Sequence, residues 1–119
     1  MLQSKRDESI IRFAAEKVMG WQWIDGCTAT PDLFANMLPA HWENEHGIAY
    51  YPGDWNPLEL WCDAGMLWEK ARNVSLAHVL GGGWIANARG VHATSVDSGP
   101  CAIAEAIVKA FGWEEEKNG

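Results

Sequence analysis

The sequence predicts an α+β domain: a small antiparallel sheet of about three strands packed with three main helices in αα-βββ-α order, a layered αβα sandwich. Three observations carry this. Residues 99–113 form a helical stretch that is apolar on nearly every side. Residues 74–96 read as three short runs separated by glycines, and two further helical stretches precede them. A helix without a broad polar face must be covered on two or three sides. The sheet and the first two helices are what this chain has to cover it with.

Ser4-Lys5-Arg6-Asp7 reads as a capping box with Asp in place of Glu. It opens a helix over 5–19 with Ile10, Ile11, Phe13, Ala14 and Val18 as apolar positions and Gly20 as its stop. Trp21-Gln22-Trp23-Ile24 alternates weakly, as a short extended piece does. Residues 25–56 form a loop-rich, variable segment. Asp25-Gly26 is a turn signal, and Thr30-Pro31-Asp32 opens two turns of helix that Pro39 closes. Residues 43–47 and 52–54 read as loops. Long segments of this kind are often functional in compact domains.

Asn56 as cap and Pro57 at the first position predict the start of the second long helix. Leu58, Trp61, Cys62, Gly65, Trp68 and Arg72 form its stripe. Gly65, costing about 1 kcal/mol relative to Ala, is read as a point of close approach. Strands follow over 74–80, 84–89 and 91–96, with Gly81-Gly82-Gly83 as a turn. Trp84, Ala86 and Ala88 share one face of the middle strand, and Ile85, Asn87 and Arg89 the other. The small residues Ala86, Ala88 and Ala93 let a helix lie close to the sheet. The last helix is the candidate, and the first two would cover its flank or the opposite face. Asp97 or Ser98 caps it, Pro100 takes its first turn and Gly112 ends it. Glu105 and Lys109 mark a narrow wet stripe one turn apart.

The 119 residues suggest one domain, 1–119. Hydrophobic residues make up 48% and charged residues 21%, as in ordinary globular proteins. No run approaches the ~18 apolar residues that span a bilayer, and the N-terminus has no apolar export core. Cys27, Cys62 and Cys101 are odd in number and scattered, which fits a reducing compartment rather than a disulfide framework. The expected location is therefore cytoplasmic. A net charge of −7 argues against nucleic acid or an anionic membrane as partner and permits a basic protein. Eight Trp are more than so small a core can hold, so some must lie at its rim, in a pocket or at an interface.

Cys27, His41, His46 and Cys62 are the best metal candidates. Their types suit zinc, but no close Cys pair or H-E-x-x-H spacing accompanies them, so surface histidines and half-buried thiols are the simpler reading. Gly81–Gly83 lacks the Lys-Ser/Thr and the helix of a phosphate loop. Cys101 lies at a helix N-terminus, where the dipole lowers a thiol pKa. With His78 or His92 nearby it would be a nucleophile; otherwise it is a small buried hydrophobe. No catalytic fingerprint appears, and no cofactor is expected. The aromatic set Trp42, Tyr50, Tyr51 and Trp55, with Trp84 and Arg89, is the candidate ligand-binding group. Arg89 or Arg72 would meet a phosphate. The competing reading is a lid of rings over the core.

The run Ala15-Glu16-Lys17-Val18-Met19-Gly20-Trp21, a helix ending Trp68-Glu69-Lys70, a hairpin with Gly83-Trp84-Ile85-Ala86, and Gly99-Pro100-Cys101-Ala102-Ile103 together resemble the phage ABA-sandwich family of small bacteriophage and prophage proteins. Trp61-Cys62-Asp63-Ala64-Gly65, followed by Val74-Ser75-Leu76, also resembles a neighbouring phage family of unknown function. The resemblance implies an αβα layered domain made by phages or prophages and carries over no catalytic residue. Two expectations follow. One is a non-enzymatic accessory protein, as a homo-oligomer, that sequesters a small nucleotide-like host molecule between Trp and Tyr rings. The other is an acidic inhibitor that docks on a host defence protein; a zinc-binding domain is a third reading.

Overall fold

A computed structural model of the chain describes residues 4–24 and 40–114. The order of elements is α1 (Lys5–Phe13), continued by a π-helical turn (Ala14–Val18), then β1 (Gln22–Ile24), β2 (His41–Glu43), β3 (Ala49–Tyr50), α2 (Trp61–Ala71), β4 (Val74–His78), β5 (Trp84–Ala88), β6 (Val91–Ser95) and α3 (Gly99–Ala110). The class is α+β. The expected Asp25-Gly26 turn, the helix opened by Thr30 and the thiol of Cys27 lie outside the described residues.

α3 is the centre of the molecule. Ser98 caps it by accepting from the Cys101 amide, and Pro100 sits in the first turn. Gly99, Pro100 and every residue from Ala102 to Val108 are buried, with Ile103, Ile107 and Val108 almost wholly so. β4–β5–β6 form an antiparallel sheet in which Ala86 pairs with both Leu76 and Ala93. Ala86, Ala88 and Ala93 are buried, and α3 lies on that face, mainly over β5 and β6. α1 and α2 cover the remaining flanks of α3 rather than the far face of the sheet. On that far face Ser75, Ala77, Ile85, His92 and Thr94 are exposed.

Glu105 departs from expectation. It is buried at 9% exposure and pairs with Arg6 of α1 at 2.6 Å, not with solvent. α3 therefore has no wet stripe at Glu105; its one buried carboxylate is neutralised from a neighbouring helix. α1 begins as predicted, with the Ser4 hydroxyl accepting from the Asp7 amide, and ends at Gly20 with φ +76°.

The second helix also departs. Asn56 caps only a single turn, through Leu58 N–H to its side chain at 3.0 Å, and α2 starts at Trp61 after extended backbone at Leu60. Two bonds fix that turn in place: Asn56 N–H donates to Asp63 of α2 at 2.8 Å, and the Ser98 hydroxyl donates to the Leu58 carbonyl at 3.0 Å. The buried stripe of α2 is Asp63, Ala64, Leu67 and Ala71, so Trp61 and Cys62 lie outside. Small residues face alanine-rich α3 and the indoles go to the rim. Gly65 meets open space; the close approach is at Gly99, where a Cβ would collide with the Trp61 ring.

The short extended piece expected at Trp21–Ile24 is β1, and it belongs to a second sheet, β1–β2–β3, whose other two strands lie in the segment read as loop-rich. Trp23 pairs with Trp42 and Trp42 with Tyr50. The β2–β3 turn is closed by Asn44, whose side chain accepts from the amides of His46 and Ile48. Among the described residues no helix is long and apolar enough to cross a membrane.

If α3 is the packing centre, Ile107→Ala should cost about 2–5 kcal/mol of unfolding free energy, whereas Ile85→Ala on the open sheet face should cost well under half as much. Urea unfolding followed by far-UV circular dichroism measures both.

Candidate functional site

The second sheet gathers an aromatic group. Tyr50 stacks on Trp21 with centroids 4.1 Å apart and planes within 6°. Trp55 meets Trp21 edge-on at 4.7 Å and Trp42 at 6.4 Å, and Trp23 meets Trp42 at 5.1 Å. Tyr51 lies against the His41 ring at 5.4 Å. The expected residues Trp42, Tyr50, Tyr51 and Trp55 are thus brought together, and Trp21 and Trp23 join them. The alternation Trp21-Gln22-Trp23 was the signal for these two, since it places both indoles on one strand face.

The rings differ in burial and in partners. Trp42 is 5% exposed and donates its indole N–H to Glu16 at 3.2 Å. Glu16 also takes Arg12 at 2.9 Å, and the Arg12 guanidinium lies over Trp23 at 5.6 Å. A groove of about 240 Å³ between Glu8, Ile11, Arg12, Trp23, Trp42 and Pro52 runs beside this network. Trp55 is 2% exposed, and among the described residues its indole nitrogen has no hydrogen-bond partner. Beside it a cleft of about 160 Å³ is lined by Ala49, Tyr50, Tyr51, Asp54, Trp55 and Asp63. Asp63 is buried and holds the Asn56 amide, while Asp54 is exposed at the cleft edge.

Trp84 and Arg89 do not join this group. Trp84 lies between Trp61 at 5.5 Å and His78 at 4.6 Å on the other sheet. Arg89 donates to the Ala71 carbonyl at 3.0 Å and its guanidinium lies 4.5 Å from the centroid of the Phe111 ring.

Of the zinc candidates, His41, His46 and Cys62 lie among the described residues. His41 is buried and 3.4 Å from Glu43, His46 is exposed on the β2–β3 turn beside Glu45, and Cys62 is exposed on α2 with its thiol toward Asp63. Among the described residues no three His, Cys, Asp or Glu side chains gather where one ion would hold them.

Cys101 does not show the lowered thiol pKa expected of a helix N-terminus. Burial pushes it up, and the Glu105 carboxylate, 3.9 Å from the thiol, pushes further in the same direction. Desolvation of the thiolate here outweighs the helix dipole, so the thiol stays protonated. That is a poor nucleophile.

Two outcomes follow. Trp55→Phe should destabilise less than Trp42→Phe by about 1–3 kcal/mol, because the first removes a buried donor that has no acceptor and the second breaks a bond to a carboxylate; urea unfolding of the two variants measures the difference. At pH 8, with Cys27 replaced by serine, Cys62 should react with an aromatic disulfide reagent at least about tenfold faster than Cys101. The Cys101 rate should climb only as pH rises beyond the range of an ordinary thiol.

Comparison of the chain with protein families, with curated proteins and with solved structures finds no match.

Proposed function

We propose that this chain is a non-enzymatic accessory protein of phage or prophage origin, acting in the host cytoplasm, that docks on a basic surface of a host protein through its β1–β3 end. The observation that carries the reading is the cleft beside Trp55. Tyr50, Tyr51 and Trp55 present rings, Asp54 and Asp63 present carboxylates, and among the described residues no basic side chain lines it. Aromatic faces attract cations electrostatically, and a carboxylate adds a charge-assisted hydrogen bond to an ammonium or guanidinium group. The net charge of −7 steers the same kind of partner toward the molecule.

The cleft of about 160 Å³ falls below the ~300–1,000 Å³ usual for small-molecule sites. It suits the head of one Lys or Arg side chain better than a nucleotide. The nucleotide reading also lacks its phosphate contact at this place, since Arg89 lies against Phe111 and the Ala71 carbonyl. The phage or prophage origin rests on the resemblance of the Ala15-Glu16-Lys17, Gly83-Trp84-Ile85-Ala86 and Gly99-Pro100-Cys101 segments.

The test is a titration of intrinsic Trp fluorescence with a short Arg- and Lys-rich peptide, beside a panel of mono- and cyclic nucleotides. Peptide binding should weaken at least about tenfold between low and physiological salt, and Asp54→Asn or Tyr51→Ala should weaken it further at fixed salt. Salt-insensitive binding of a nucleotide with no response to the peptide would overturn the reading in favour of ligand sequestration.

A further inference from the structure

We infer that the free edge of β4 is the place where a second copy of this chain adds, pairing β4 with β4 antiparallel into a continuous six-stranded sheet. Among the described residues, the strand order β4–β5–β6 leaves one side of β4 unpaired. Such an edge offers a row of amides and carbonyls to any incoming strand, and proteins blunt it with charges, proline, bulges or very short strands. β4 has none of these. Val74-Ser75-Leu76-Ala77-His78 carries no formal charge and no proline, and it pairs with β5 over five consecutive residues without interruption. Beyond it Val79 and Leu80 are exposed, Leu80 completely. Because α3 lies mainly over β5 and β6, Val74 and Leu76 are only half-buried. The other edge strand, β6, carries α3 on its buried face and runs on directly to Asp97, whose carboxylate stands at its end.

The distribution of charge selects the occupant. All 16 acidic residues lie outside residues 70–96, which contain only Lys70, Arg72 and Arg89 as charged groups. Two chains of net charge −7 repel across any acidic surface, and this stretch is where they approach without opposing carboxylates. A two-fold axis through Leu76 sets Ser75 against Ala77 of the partner subunit and Val74 against His78 of the partner subunit. Neutral residues meet neutral residues along the whole ladder, and Arg72 falls beyond its end. An acidic strand from a foreign protein would place its charges opposite uncharged side chains and gain no counter-ion within the ladder.

Sedimentation velocity and native mass spectrometry of the full chain should find a species of twice the 13.2 kDa chain mass. Ser75→Lys with Ala77→Lys sets lysine opposite lysine in both pairs at positions exposed in the single chain, so it should be monomeric with an unchanged circular dichroism spectrum. Mixing it with the Ser75→Glu, Ala77→Glu chain should restore a mixed dimer. In the unaltered chain, amide hydrogen exchange over residues 74–78 should slow as protein concentration rises. A chain that remains monomeric up to millimolar concentration overturns the inference, and so does a dimer indifferent to both double substitutions. Should the lysine variant not fold, concentration-independent exchange over 74–78 in the unaltered chain overturns it equally. None of these outcomes bears on binding at the Trp55 cleft, which is read by fluorescence.

Discussion

Burial of α3 is the constraint from which the rest of the structure follows. Its twelve residues include one acid and one base, and its isoleucines, valine and alanines face neighbours on nearly all sides. Each fully buried Ile or Val is worth about 1.5–3 kcal/mol, but only if something covers it. An alanine-faced sheet covers one side, and α1 and α2 the others. Glu105 then becomes a fixed point. A carboxylate buried without a partner is strongly destabilising, so α1 must present Arg6 to it. The same corner is held by the Trp113 indole, which donates to Ser9 at 3.1 Å while Arg6 lies over its ring. The rotation of α1 about its axis is thus set by polar contacts, although its attachment is apolar.

The tryptophans sort themselves by what their indole nitrogens can reach. Trp113 and Trp42 are buried where Ser9 and Glu16 accept from them. Trp61 stays at the surface, its ring filling the space left by Gly99 and meeting Trp84 edge-on. Trp55 is the exception, buried with its donor unsatisfied. A core of small helices and alanine-rich strands leaves little internal volume, so large rings collect in the second sheet and along the rim. The abundance of Trp thus marks a shape problem solved by stacking.

Local chemistry was legible where the chain itself decides. Ser4 and Ser98 cap because a hydroxyl sits one residue before a helical run; Pro100 and Gly20 act through fixed or permissive φ. The β4–β6 strands followed from alternation and from the glycines between them. Most of the errors arise where a residue outside the local run decides. Asn56 looks like the cap of a long helix, but its amide bonds to Asp63 of α2 and the Ser98 hydroxyl donates to the Leu58 carbonyl, so its turn folds against α2 instead of continuing into it. Trp61 and Trp68 look like a buried stripe, but alanine-rich α3 selects Ala64, Leu67 and Ala71. Glu105 looks solvated until Arg6 arrives from a residue nearly a hundred positions away. The alternation at Trp21–Ile24 disclosed β1, but β2 and β3, of three and two residues, are too short for periodicity to reveal. Of the site, the grouping of Trp42, Tyr50, Tyr51 and Trp55 was visible as composition, whereas the separation of Trp84 and Arg89 required the topology.

That shortness also limits what the second sheet can do. Its strands hold three, three and two residues, and ladders so small are marginal without support. The support is the stack of Tyr50 on Trp21 with Trp55 and Trp42 edge-on beside it. A flat ligand inserted among these rings would have to separate Tyr50 from Trp21 and so remove what holds the strands together. A side chain approaching from outside meets Tyr51 and Asp54 at the cleft edge and leaves the stack intact. The stacked rings are therefore unavailable as intercalation platforms, and the docking proposed above would have to use their outer faces and the carboxylates beside them.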